Sequence, residues 1–365
     1  MGFRCGIVGL PNVGKSCLFN ALVQSRAAVS ASYAFSTVEP NLGRIAVPDD
    51  RLAEIAALAR SPKITPTQLD FVDIAGLVRG ASRGEGLGNQ FLAHIREVDA
   101  IAHVLRCFEG RDVDRAGAVD PVADAETVET ELMLADLDSL TRRLEPLVKK
   151  ARGGDREATA MRDIMVRAIA VLEDGRPALE LEIGADEEML FHRMQLLTAK
   201  PVLYVCNVDE EQAAGGGAHA AEIARWAAER GAPTVVVSAA IEAEIAQLDD
   251  EEERRGFLET LGLGETGLGR VVRAGYDLLG LITFFTAGPV ETRAWTVERG
   301  TRAQDAAGRI HSDFARGFIA AETIAFDDFV ACGGEVAAKE AARMRREGRD
   351  YIVRDGDVIL FRFNV

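Results

Sequence analysis

Residues 9 to 16 read Gly9-Leu10-Pro11-Asn12-Val13-Gly14-Lys15-Ser16, and no other stretch leaves the chain so little freedom. This is the pattern of a loop that wraps phosphate. Glycines let backbone N–H groups turn inward, the lysine reaches terminal phosphate oxygens, and the serine hydroxyl can hold Mg²⁺. The context fits the pattern: an apolar run from Phe3 to Val8 precedes the loop, and Leu18, Phe19 and Leu22 follow at helical spacing. A strand, a tight loop and a helix N-terminus are therefore expected, with Gly9, Asn12, Val13, Gly14, Lys15, Ser16 and Cys17 around the phosphates of a nucleoside triphosphate.

Further strand-like runs at Gln68 to Ile74, Ala100 to Cys107, Pro201 to Cys206 and Pro233 to Val237 alternate with helical patterns. That order predicts an α/β domain with a mostly parallel sheet. More than ninety residues with little strand character separate Cys107 from Pro201, too many for one crossover helix. Apolar residues recur at helical spacing from Ala125 to Arg152 and again from Ala158 to Leu172, with Gly153-Gly154 between them. Two antiparallel helices joined by a turn are expected, the first kinked or interrupted at Pro146. From Leu281 the character changes to short aromatic and β-branched runs, Thr283–Thr286, Arg293–Val297, Tyr351–Val353 and Val358–Phe361, around a helix at Gln304 to Phe314. This predicts a small α+β module with a binding role. The expected domains are 1–280 with a helical insertion at 122–198, and 281–365.

The net charge of −16 is unevenly spread. Residues 142–167 hold eight Lys/Arg against four acids, a basic island around the Gly-Gly turn. Such an island is either a solvated helix face or a footprint for a phosphate backbone. The run Asp249 to Glu253 reads as a plain solvated helix start. Five scattered cysteines and five histidines show no metal-ligand spacing, so zinc is not expected and a reducing, cytoplasmic setting is. No apolar run approaches the ~20 residues that span a bilayer. The opening Met1-Gly2-Phe3-Arg4-Cys5 enters a strand at once, from which no signal peptide is expected.

Downstream of the loop come Thr37, Asp73-Ile74-Ala75-Gly76, Asn207-Val208-Asp209-Glu210 and Ser238-Ala239-Ala240, in the order of a GTPase-type domain. Thr37, Asp73 and Gly76 are the expected switch residues. Ser16 and Thr37 would hold Mg²⁺, with Asp73 reaching it through water. Asn207, Val208, Glu210, Ser238, Ala239 and Ala240 would surround the base. Two departures carry functional weight. Val208 and Glu210 stand where a guanine-selective site has Lys and Asp, which removes the short carboxylate that reads guanine and opens the pocket to adenine. Leu77 stands where Ras-like proteins orient water with glutamine, so intrinsic hydrolysis should be slow.

These motifs, together with Gly80 to Phe91 and Asp350 to Val358, closely resemble the YchF family of Obg-like ATPases over the whole chain. The resemblance implies an Obg-type P-loop GTPase-like domain, an inserted helical hairpin and a C-terminal TGS domain. It also implies ATP hydrolysis with Mg²⁺ and association with the ribosome, especially the large subunit. On that basis Lys149, Lys150, Arg152 and Arg156 at the hairpin tip, with the TGS domain, are the expected rRNA-facing surfaces. Asn12 matches an asparagine that holds K⁺ in some related enzymes. Ser36 replaces a cysteine proposed to sense redox state, and Asp114 lies nearest to a histidine proposed to assist hydrolysis, so no catalytic residue is assigned. Two rivals remain at this point, a guanine-dependent GTPase and a nucleotide-stabilised adaptor that rarely turns over.

Overall fold

The computed structural model describes residues 3–24, 41–74, 87–109, 119–248 and 250–364, without the side chains of 87–89 and 251. In chain order the strands are β1 (Arg4–Val8), β2 (Asn41–Ala46), β3 (Lys63–Thr65), β4 (Gln68–Asp73), β5 (Ala100–Arg106), β6 (Val202–Asn207), β7 (Thr234–Val237), β8 (Leu281–Thr286), β9 (Glu291–Glu298), β10 (Phe318–Ile324), β11 (Arg345–Glu347) and β12 (Val358–Phe363). The helices are α1 (Lys15–Gln24), α2 (Asp50–Ala59), α3 (Leu87–Arg96), α4 (Pro121–Arg152), α5 (Arg156–Glu173), α6 (Glu188–His192), α7 (Gly217–Ala228), α8 (Ala239–Gln247), α9 (Glu251–Thr260), α10 (Gly267–Leu278), α11 (Ala303–Ile310), α12 (Ser312–Arg316), α13 (Phe326–Cys332) and α14 (Glu335–Glu340).

Two compact units result. The first holds Phe3–Gly43 and Asp70–Val271, the second Arg44–Leu69 and Val272–Val365. The sequence places 44–69 in the nucleotide domain; within that segment β3 pairs with β9, and Leu52 and Ile55 of α2 pack on the C-terminal module, while its ends belong to strands β2 and β4. In the first unit a sheet of order β2-β4-β1-β5-β6-β7 forms, in which β1 runs parallel to both β4 and β5, and β6 parallel to β5 and β7. Its inner strands are largely apolar runs because both faces are covered; all seven residues of β5 are buried.

Helices α4 and α5 form the expected hairpin, packing Leu140 against Ile164, Met165 and Ala168. Asp120 caps the first helix by accepting from Ala123 N at 2.9 Å, and Asp155 caps the second by accepting from Ala158 N at 3.0 Å. Gly154 makes the turn at φ 87°, where a side chain would be strained. The helix runs through Pro146 without interruption, so no irregular turn forms there. Buried Asp136 fastens α4 to the return segment, accepting from Leu197 N at 2.9 Å, Thr198 N at 2.9 Å and the Thr198 hydroxyl at 2.8 Å. The acidic run starts α9, where Asp250 accepts from Glu252 N at 2.9 Å.

In the second unit the sheet order is β11-β10-β12-β8-β9-β3. Its core joins Leu52 and Ile55 of α2 to Phe285, Phe329 and Val358. Three expectations change here. Tyr351–Val353 is no ladder strand, since Ile352 makes only an isolated bridge with Arg302. The single helix at 304–314 is two, broken at His311, whose φ of −160° is extended. Strand β10 was not foreseen, although its burial makes it a centre of the module.

Candidate functional site

The loop of residues 9–16 leaves the C-terminal end of β1 and feeds α1, in the interior of a parallel sheet. Strand β4 beside it ends at Asp73, β6 ends at Asn207, and β7 leads into Ser238. All these positions share the carboxyl edge of the sheet, where α/β folds collect their ligands.

Each glycine in the loop has a steric reason. A Cβ on Gly9 would come within 2.8 Å of the Val104 carbonyl oxygen. Gly14 sits at φ 89°, and a Cβ there would collide with the Asn207 amide nitrogen. Asn12 also takes a left-handed conformation, φ 66°, one that asparagine tolerates better than most residues. Leu10 and Val13 are buried anchors while Asn12, Ser16 and Cys17 are exposed, so the loop is pinned by its apolar side chains and open along its polar ones.

Lys15 is ion-paired with Asp73 through Nζ and Oδ1. A nucleotide entering the loop would part them, the ammonium turning to phosphate and the carboxylate to a cation. Ser16 and Asp73 are oxygen donors of the kind Mg²⁺ takes when phosphates supply the rest of its shell. No cluster of three or more His, Cys, Asp or Glu suited to a metal occurs among the described residues. P-loop nucleotide hydrolases generally use Mg²⁺ in this way.

On the base side, Asn207 is 4 % exposed, and its Oδ1 accepts from Ala239 N at 2.9 Å while its Nδ2 donates to the Val13 carbonyl at 2.9 Å. The sequence assigned Asn207 to the base. The structure adds a joint between base motif and phosphate loop that no local pattern announces. Cys17 makes a second link, its Sγ donating to the Ala239 carbonyl at 3.5 Å. Val208 is buried, its N–H donating to the Val237 carbonyl at 2.9 Å. Glu210 is exposed at the start of a 3₁₀ turn. Ser238 is buried with no partner for its hydroxyl among the described residues, and Ala239 opens α8.

Thr37 and Gly76 lie outside the described residues, as do Ser36, Leu77 and Asp114. Lys149, Lys150 and Arg152 occupy the last turn of α4 and Arg156 the first residue of α5, so the basic island does flank the Gly153-Gly154 turn. All four are exposed, and Lys149 pairs with Glu145 at 2.8 Å.

A phosphate loop after an interior strand of the sheet, with Asp73 at the end of the neighbouring strand and Asn207 bracing the loop from the end of β6, defines a P-loop nucleotide-binding protein of the GTPase fold. Residues 4–150 match the family described as 50S ribosome-binding GTPase, and residues 281–364 match YchF-GTPase_C, described as Protein of unknown function (DUF933). The chain is 52 % identical to "Ribosome-binding ATPase YchF" of Haemophilus influenzae and 49 % identical to that of Bacillus subtilis, each over 100 % of both chains. A solved structure, the Schizosaccharomyces pombe YchF GTPase, superposes with a TM-score of 0.87 at 33 % identity, covering 99 % of this chain and 98 % of that one. The chain belongs to the YchF family.

Proposed function

We propose that this protein binds ATP with Mg²⁺, hydrolyses it slowly, and associates with the ribosome according to the nucleotide it holds. One observation supports the reading: the phosphate-loop sequence Gly9 to Ser16 is present in full, while buried Val208 and exposed Glu210 occupy the positions where guanine selection requires Lys and Asp. The names of the relatives, ribosome-binding ATPases, point the same way.

In this reading the N–H groups of Gly9 to Cys17 and the Lys15 ammonium hold the phosphates. Ser16 and Asp73 hold Mg²⁺, which supplies charge neutralisation on the phosphates when bound, and Thr37 completes that set. Gly76 offers its N–H to the γ-phosphate. Asn207, Val208, Glu210, Ser238, Ala239 and Ala240 border the adenine. Exposed Asn12 is the candidate contact for K⁺. Loss of the γ-phosphate releases the segments around Thr37 and Gly76, and that release is the signal read by the ribosome.

The hairpin tip of Lys149, Lys150, Arg152 and Arg156 is the proposed rRNA contact on the large subunit. The module at 281–365, read as a TGS domain, is the second contact. The setting is the cytoplasm; no described helix is long and apolar enough to cross a membrane. Phosphate release from ATP by the purified protein, alone and with ribosomes and K⁺ present, tests the proposal. Turnover that ribosomes accelerate is expected, whereas release at background in every condition would favour a non-hydrolysing adaptor.

A further inference from the structure

The segment that returns from the helical hairpin to β6 is bonded to three other elements of the nucleotide unit. Its Met194 carbonyl accepts from the Arg143 guanidinium of α4 at 2.9 Å. Its Leu197 and Thr198 amides both donate to buried Asp136, about two turns earlier on the same helix. Lys200, two positions further on, sends its ammonium the other way, donating to the carbonyls of Arg96 at 3.2 Å and of Val98. Arg96 is the last residue of α3, so Lys200 caps the end of that helix, where the dipole favours a cation. The Pro201 carbonyl then accepts from Ile101 N at 3.0 Å, and β6 runs on to Asn207.

Two opposite charges are thus committed to main-chain partners around one short strap. Burial pulls the Lys200 pKa down, while Asp99 and Asp136 work against that fall. The strap is held closely enough that exposed Gln195 takes φ 53°, a left-handed conformation that few residues other than glycine adopt unless their surroundings impose it. At its other end α3 begins at Leu87, directly after the sequence 75–86 that contains Gly76 and Leu77. Buried Phe91, Leu92 and Ile95 make α3 one packed element, so a shift at its start reaches its last turn. Lysine suits a joint that moves, because its ammonium is a point charge on a flexible stem and can trade one carbonyl for the other without losing contact.

We infer that Lys200 and Asp136 form a joint through which the helical hairpin and the nucleotide switch act on each other. Asp136 holds the strap to α4, Lys200 holds it to α3, and residues 197–200 carry both attachments. Tilting α4 at its tip drags the strap, and with it the end of α3 and the start of the strand that ends at Asn207. A change around Gly76 on loss of the γ-phosphate travels the opposite way. Lys200 is a positioning residue, acting on the site through α3. The inference rests on the function proposed above for what engages the hairpin, and on the bonds of the strap for the joint itself.

Hydrogen exchange of the full chain with Mg²⁺ and either ADP or a non-hydrolysable ATP analogue tests the joint without ribosomes. In the wild type the two nucleotides should give exchange differences at α3 that extend to residues 194–200 and to α4 around Asp136. Lys200→Met keeps most of the stem and removes the donor; it should retain the difference at α3 and shrink the others at least threefold, and Lys200→Arg should restore them. Thr198→Val, which removes one donor to Asp136 at nearly constant size, breaks the strap from the α4 side and should shrink the difference at α4 similarly. A wild-type difference confined to α3, or one that both breaks pass on undiminished, would overturn the inference. Phosphate release is the second arm: Lys200→Met should bind ATP and pellet with ribosomes within twofold of wild type, yet lose ribosome acceleration at least fivefold. Full acceleration in that variant would also overturn it. Failure of the proposed function has a different signature, wild-type turnover indifferent to ribosomes, and the exchange arm then still decides the joint.

Discussion

The Asn207 side-chain amide donates to the Val13 carbonyl at 2.9 Å across 194 positions of sequence. With Ala239 N donating to Oδ1 of the same side chain at 2.9 Å, one buried residue ties the phosphate loop to the end of the base motif. Removing it leaves two buried backbone groups unpaired, each costing about 1–3 kcal/mol. Asn207→Ala should therefore lower both thermal stability and ATP affinity, the latter about tenfold or more. Calorimetric titration with ATP beside a melting curve checks this; unchanged affinity with a lowered melting point would make the joint purely structural.

Lys15 contributes the one full positive charge within the loop, and in the structure it is already neutralised by Asp73. Lys15→Ala should abolish ATP binding at millimolar nucleotide while leaving the fold intact, since the loop is anchored by buried Leu10 and Val13. Equilibrium dialysis with labelled ATP measures it. Retained binding would move the phosphate site elsewhere.

His103 is fully buried in β5, 5.8 Å from the Tyr204 ring, with no partner for Nε2 among the described residues. Burial pulls its pKa down from 6.5 to about 4. The unfolded chain thus takes up a proton near pH 6.5 that the folded chain refuses until about pH 4, and stability falls as pH drops through that window. At about 1.4 kcal/mol per pKa unit, the loss at pH 5 is on the order of 2 kcal/mol. His103→Phe should remove this component. Urea denaturation at pH 7.5 and pH 5 should show a smaller drop for the variant than for wild type, and an equal drop would assign the acid sensitivity to other groups.

At the hairpin tip, Lys149 pairs with Glu145 between side chains that are 72 % and 78 % exposed. Such a surface pair contributes about 0–1 kcal/mol, so the tip can be reversed without endangering the fold. Lys149, Lys150 and Arg152 changed to Glu should weaken ribosome association at least tenfold at low salt and flatten its salt dependence, with ATP affinity unaltered. Co-sedimentation across a salt series decides, and unchanged pelleting would remove the tip from the interface.

What the sequence disclosed and what it withheld follow from the range of the interactions involved. Strands β1, β4, β5, β6 and β7 were legible because a strand covered on both faces is a continuous apolar run. Edge strand β2 was not, since Asn-Leu-Gly-Arg-Ile-Ala alternates only weakly and buries two of its six residues. Nothing local in Leu52 or Ile55 states that they pack against Phe285 and Phe329, more than two hundred positions away. Tyr351 looked like strand material, yet its hydroxyl donates to buried Asp357 at 2.7 Å and holds a turn instead. In the site, the phosphate loop was readable because each residue acts on its own neighbours. Asn207 was assigned to the base alone because its bonds to Val13 and Ala239 exist only in three dimensions.

The central claim is that an intact phosphate grip is paired with a base pocket that no longer selects guanine. Direct competition of ATP and GTP for the purified protein with Mg²⁺, followed with a fluorescent adenine nucleotide, tests it most closely. The account predicts that ATP displaces the probe at least tenfold more effectively than GTP; GTP displacing it as well as or better than ATP would contradict the assignment of Val208 and Glu210 and return the protein to the guanine-dependent class.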